Sequence, residues 1–151
     1  MAMKIAVGSD GTSAALRRVV SWLEEHGHEV SLHGAVGGDP DGADWPAVAA
    51  RVARSVAAGE VDQAVLMCWT GTGISIAANK VGGARAALCC DAETAAGARR
   101  WNDANVLALS QRLLSETLAE EILAAWFAAT PSTEAQDVAC LRGLGELDRT
   151  R

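Results

Sequence analysis

Residues 64–80 read AVLMCWTGTGISIAANK, and this stretch decides the fold. An apolar run, Ala64 to Met67, ends in a thiol at Cys68. Gly71 and Gly73 follow, and then a small-residue segment of helical character. That order is a buried strand entering a tight turn and then a helix. Outward in both directions the same unit recurs. Residues 4–8 (KIAVG) predict a first strand, and residues 13–25 a helix carrying Leu16, Val19, Val20 and Leu23 at helical spacing, capped by Thr12 or Ser13. Gly27 stops that helix and residues 29–33 form a second strand. Residues 36–45, rich in Gly, Asp and Pro, form a loop, and Pro46 opens a helix that ends near Gly59. Residues 63–68 are the third strand and 72–80 a helix. A fourth strand spans 85–88, a helix 92–100, a fifth strand 105–109 and a long helix 115–128. A C-terminal helix is expected over 133–141, with residues 143–151 a frayed polar tail.

Strand and helix alternating five times predict an α/β fold: a five-stranded parallel sheet with helices on both faces, in one domain over residues 1–151. The unbroken apolar strands (AVLMC, NVLAL) predict burial on both sides. In such sheets ligands bind outside the carboxyl ends of the strands. Those ends are Ser9 to Gly11, Cys68 to Gly73, Cys89 to Asp91 and Ser110 to Arg112.

Composition narrows the functions. The chain has 151 residues, half of them hydrophobic, and a net charge of −6. That charge and the absence of a Lys/Arg run argue against a nucleic-acid surface. No apolar stretch reaches the ~18 residues of a membrane span, and no signal peptide is evident, so a cytoplasmic protein is expected. The four cysteines lack CxxC spacing, which fits free thiols in a reducing compartment. His26, His28 and His33 lack the spacing of a metal site and read as surface or strand-edge residues.

Chemistry concentrates at the strand ends. A thiol at Cys68 faces the N–H groups and dipole of the following helix, which favour the thiolate. A thiolate there can act as a nucleophile or general base, and a buried structural cysteine is an equal reading. Gly71-Thr72-Gly73 lets backbone amides approach an anion, or simply makes a turn. Asp10 can hold sugar hydroxyls, cap the first helix, or do both. Asn102 and Asp103 precede the fifth strand, at the opposite edge of the sheet, and read there as a helix C-cap.

Taken together, GSD at the start, the long CWTGTGISIAANKVGGARAALCCD segment and WNDANVLAL resemble the family of ribose-5-phosphate isomerase B and galactose-6-phosphate isomerase. GHEV (27–30), Asp44-Trp45-Pro46 and GEVD (59–62) add to the likeness, which covers about residues 4–127. The resemblance implies a Rossmann-like three-layer sandwich, and a homodimer or dimer of dimers with active sites shared between subunits. It implies metal-independent interconversion of an aldose and a ketose through an enediolate, without a cofactor. Cys68 then moves the proton between C1 and C2, and Thr70 assists at the substrate oxygen. The amides of Gly71, Thr72, Gly73 and Ser75 stabilise the enediolate, Asp10 and Asn102 hold the sugar, and Arg112 binds phosphate.

Several positions depart from the family's pattern. Gly11 and Trp101 stand where the family usually has histidines, the latter credited with ring opening. Trp45 replaces a tyrosine. The acidic segment 130–137 replaces a basic Gly-Gly-Arg-His segment, so residues 131–151 diverge. These changes remove a ring-opening acid/base and much of the phosphate's positive surroundings. Trp45, Trp69 and Trp101 offer aromatic faces for a sugar instead. The expected function is therefore a sugar or sugar-phosphate isomerase with altered substrate. A non-catalytic sugar-binding relative, or an epimerase using the same proton transfer, are the alternatives.

Overall fold

The computed structural model describes residues 1–39 and 44–151; the central part of the predicted 36–45 loop lies outside the described residues. Five strands, β1 (Lys4–Ser9), β2 (Glu29–Gly34), β3 (Gln63–Cys68), β4 (Ala86–Leu88) and β5 (Val106–Ser110), form one parallel sheet in the order β2-β1-β3-β5-β4. Helices α1 (Ala14–Glu25), α4 (Ala92–Asn102) and α5 (Glu116–Ala128) cover one face. Helices α2 (Trp45–Ala57) and α3 (Thr72–Ala78) cover the other. The result is the expected three-layer α/β sandwich.

Strand alternation sends side chains to the two layers in turn. Ile5, Val7, Val65, Met67, Leu107 and Leu109 enter the α1/α4/α5 core. Ala6, Leu66, Cys68, Val106 and Ala108 enter the α2/α3 core. All six residues of β3 are buried. The edge strands differ from the expectation of two-sided burial: in β2, Glu29, Ser31 and Leu32 are exposed, because a strand with one neighbour and partial helix cover presents a face to solvent. The short β4 is fixed by a side chain. The Asn79 amide donates to Ala86 C=O at 2.9 Å and accepts from Ala86 N–H at 2.8 Å, pairing with β4 as a strand residue would.

Caps follow the sequence closely. Ser13, Asp91 and Ser115 accept N–H bonds from Leu16, Thr94 and Leu118 and start α1, α4 and α5. The frayed tail is not found. Helix α6 (Ala135–Arg149) runs through Gly143 and Gly145 almost to the end of the chain. It is pinned there: Asp148 accepts from Gly83 N–H at 3.0 Å and Arg151 donates to Asn79 C=O at 2.6 Å. Those long-range contacts outweigh the helix-breaking tendency of two glycines. Arg18 joins Glu25 (2.9 Å) to Glu120 (2.6 Å) across α1 and α5.

One polar pair crosses the core. Trp126, fully buried on α5, donates its indole N–H to Gln63 Oε1 at 2.6 Å. Gln63→Leu leaves that N–H without an acceptor, so unfolding in urea should show a loss of ~1–3 kcal/mol. An unchanged midpoint would mean that the bond contributes nothing.

Candidate active site

The strand order reverses between β1 and β3: β1 leads outward to β2, whereas β3 leads toward β5 and β4. Ligand crevices form at such points, outside the carboxyl ends of the strands. Ser9 pairs with Met67 in the register, so one further step sets Asp10 level with Cys68. On the other side Cys68 pairs with Ser110. Asp10, Cys68 and Ser110 thus form a row across the functional edge, at the ~4.8 Å spacing of neighbouring strands.

The Cys68 side chain faces the α2/α3 layer and is 4 % exposed. The backbone around it is fixed from β5, where Gln111 N–H donates to Cys68 C=O and Arg112 N–H to Trp69 C=O, both at 3.0 Å. Ser110 Oγ adds a second bond to Trp69 C=O at 3.0 Å. Trp69 itself projects into solvent.

Gly71 turns the chain into α3 with a φ of 78°. A Cβ there would lie 2.9 Å from the carbonyl carbon and oxygen of Leu109 and 2.6 Å from Leu88 Cδ1, so glycine is required by both conformation and space. No side chain caps α3, and Ser75 N–H makes an intrahelical bond to Gly71 C=O at 3.2 Å. The amides of Thr72 and Gly73 belong to the first turn, whose N–H groups have no partner within the helix. Thr70 and Thr72 share a hydroxyl hydrogen bond of 2.8 Å above this turn. Trp45, at the start of α2, lays its ring over Gly73: a Cβ on that glycine would meet the indole at 3.3 Å. Cys68, Thr70, the Gly71–Gly73 turn and Trp45 lie together at this strand end, with Asp10 beside them, whereas the Ser75 amide expected to face an anion is bonded within the helix to Gly71 C=O.

Asp10 is partly buried, which raises its carboxyl above the ordinary aspartate range; the charge of Asp44 pushes the same way, while its own backbone N–H partly offsets them. A carboxyl with a raised folded pKa favours folding less once ionised, so its penalty is absent at acid pH and complete above the folded value. Asp10→Asn should then raise the melting temperature near pH ~7, with the gain shrinking as pH falls toward ~4. A lowered melting temperature at neutral pH would contradict this.

Arg112 shares a cavity of about 280 Å³ with Thr70, Leu88, Cys89, Cys90 and Leu113. A roomier cavity of about 670 Å³ lies at the other edge of the sheet, beside Met3, Gly27, His28 and Glu60, far from the row of polar groups. Cys89 is buried, and burial with the nearby Cys90 and Asp91 pushes its thiol up to about 12, so it stays protonated. All four cysteines are free.

Trp101 and Asn102 are not brought to this site within one chain. They end α4, which starts at the functional edge and runs back across the sheet. The Trp101 ring lies against Gly97 and under the Arg100 guanidinium, half exposed. Asp103 is the C-cap, as read from the sequence, and it binds both Arg85 and Arg99 at 3.2 Å. Sequence reasoning assigned no role to Gln111, whose Nε2 donates to Gly11 C=O at 3.1 Å and ties the end of β5 to the loop after β1. Its place beside Arg112 at a strand end was the only available signal.

The family profile described as ribose/galactose isomerase matches residues 5–140. Ribose-5-phosphate isomerase B of Escherichia coli is 43 % identical over 127 residues, covering 83 % of this chain and 84 % of that protein. D-erythrulose-4-phosphate isomerase of Pectobacterium atrosepticum is 37 % identical over 130 residues, 84 % of each. The solved ribose-5-phosphate isomerase B of Clostridium thermocellum superposes with a TM-score of 0.89 at 37 % identity, over 98 % of this chain and 99 % of that one. The chain belongs to the ribose/galactose isomerase family.

Proposed function

We propose that this protein interconverts an aldose phosphate and a ketose phosphate by proton transfer through an enediolate. The observation that carries the reading is the placement of Cys68, a buried thiol at the carboxyl end of β3 beneath an uncapped helix turn. Cys68 takes the proton from the carbon bearing the hydroxyl and returns it to the neighbouring carbon. The Thr72 and Gly73 amides face the oxygen on which negative charge develops, and Thr70 donates to or accepts from the same oxygens. Asp10 accepts hydrogen bonds from sugar hydroxyls, Arg112 pairs with the phosphate and Trp45 supplies an apolar face.

A second copy of the chain completes this site. Asn102 and Trp101 lie too far back along α4 to serve their own Cys68, and sharing between subunits brings them to a neighbour's. Helix α6 supports association: none of its residues is buried, and Val138, Leu144 and Leu147 are exposed along it. Among the described residues no helix is long and apolar enough to cross a membrane, and a cytoplasmic location fits a substrate drawn from sugar metabolism.

The test is incubation with four-, five- and six-carbon sugar phosphates, followed by NMR of the mixture. Conversion of one of them to its aldose or ketose partner is expected. Tight binding of one with no conversion of any would favour a binding protein instead.

A further inference from the structure

One side chain bridges the functional edge of the sheet from behind. Gln111 follows β5 and Gly11 follows β1, and β3, which ends in Cys68, lies between those strands. Two strand spacings, ~10 Å, separate β1 from β5. The Gln111 carboxamide closes that gap: its Nε2 donates to Gly11 C=O at 3.1 Å. Its main-chain N–H donates to Cys68 C=O at 3.0 Å and so extends the ladder between β3 and β5 by one step. A single residue thus holds both other strand ends, and it is buried, with 9 % exposure.

The direction of the side chain decides what it can do. Register partners in a parallel pair share a face, so Ser110 points with Cys68 toward the α2/α3 layer. Side chains alternate along a strand, so Gln111 points the opposite way, toward the layer of α1, the helix into which Gly11 leads. Gln111 therefore braces the row of Asp10, Cys68 and Ser110 from the side away from the thiol.

The loop it holds has few other ties. Among the described residues, no other hydrogen bond from a distant segment reaches residues 10–12, between the end of β1 and the Ser13 cap. That loop also has a reason to swing outward. Asp10 is partly buried and feels the negative charge of Asp44, and both effects draw an ionised carboxylate toward water.

We propose that Gln111 is a positioning residue: its side-chain bond to Gly11 holds the Asp10 loop at a fixed offset from Cys68, so that the carboxylate meets the sugar hydroxyls while the thiol meets the carbon-bound proton. This rests on the isomerase reading above. All the contacts involved lie within one chain, so the brace is present whichever groups a second copy adds. Replacing the side chain leaves the main-chain bond to Cys68 C=O in place. The thiol then keeps its position and only the Asp10 loop is released. The loss should accordingly fall on substrate binding and spare the proton transfer.

The experiment measures kcat and KM with ribose 5-phosphate, D-erythrulose 4-phosphate and galactose 6-phosphate, on whichever of them the wild type converts. Gln111→Met keeps the bulk of the side chain and removes its donor, and Gln111→Ala removes both. Each is expected to raise KM at least ~tenfold, about what one hydrogen bond contributes, with kcat within ~threefold of wild type. In an Asp10→Ala background the same two changes should raise KM by less than ~threefold, because the group they position is gone. A folded Gln111→Met protein with wild-type KM would overturn the proposal by showing that bulk suffices. Equal losses with and without Asp10, or a loss confined to kcat, would overturn it while leaving the isomerase reading standing. Conversion of none of the three sugars by the wild type would overturn that reading, and the proposal with it.

Discussion

Cys68→Ala should lower kcat for aldose–ketose conversion by ~10²–10⁴-fold, the usual contribution of a positioned general base. The fold should survive, because alanine fits the buried position with the loss of a single sulfur atom. Exchange of the substrate's carbon-bound proton with solvent should vanish with it. The effect should be confined to this thiol. Cys89 is held protonated by burial and hydrogen-bonds to Ala87 C=O, and Cys90 and Cys140 are exposed. Cys140→Ala is therefore expected to stay within ~2-fold of wild type, as surface changes away from a site usually do. A Cys68→Ala protein that keeps full activity would remove the thiol from the mechanism.

Gly71→Ala should be the most damaging change that removes no functional group. The left-handed conformation costs an L-residue ~1–2 kcal/mol. In addition the new methyl would press on the Leu109 backbone, which belongs to β5 inside the sheet and cannot retreat. The turn must move instead, carrying the Thr72 and Gly73 amides off the developing charge. A displacement of ~1 Å at a reacting centre is worth ~10²-fold in rate, so kcat/KM should fall at least that far alongside a lower melting temperature. Gly82→Ala is the control, since a Cβ there meets nothing within 4 Å. Equal behaviour of the two variants would show that the close approach at Gly71 is unimportant.

Most of the architecture was legible because β3 and β5 are uninterrupted apolar runs and because Ser13, Asp91 and Ser115 mark where helices begin. The end of the chain was not. Gly143 and Gly145 read locally as breakers, and the bonds from α6 to Gly83 and Asn79 that hold the helix come from residues more than sixty positions away. The same limit applies to Asn79. It stands inside the most distinctive stretch of the sequence, yet the structure uses it to pair with Ala86 at the edge of the sheet. At the site, the thiol, the glycine turn and Asp10 were readable as strand-end residues. The Gln111 bond to Gly11 and the charge of Asp44 near Asp10 were not, since both join segments brought close only by the sheet. Trp101 and Asn102 show the opposite case: family likeness assigns them to a site that one chain does not assemble.

The most direct measurement is NMR of the reaction in heavy water with the wild-type protein. Conversion accompanied by deuterium on the carbon next to the carbonyl, in product and recovered substrate alike, is the result expected of an enediolate formed by proton transfer at Cys68. Conversion with no solvent deuterium in either would point to direct hydride transfer between the two carbons and contradict the account.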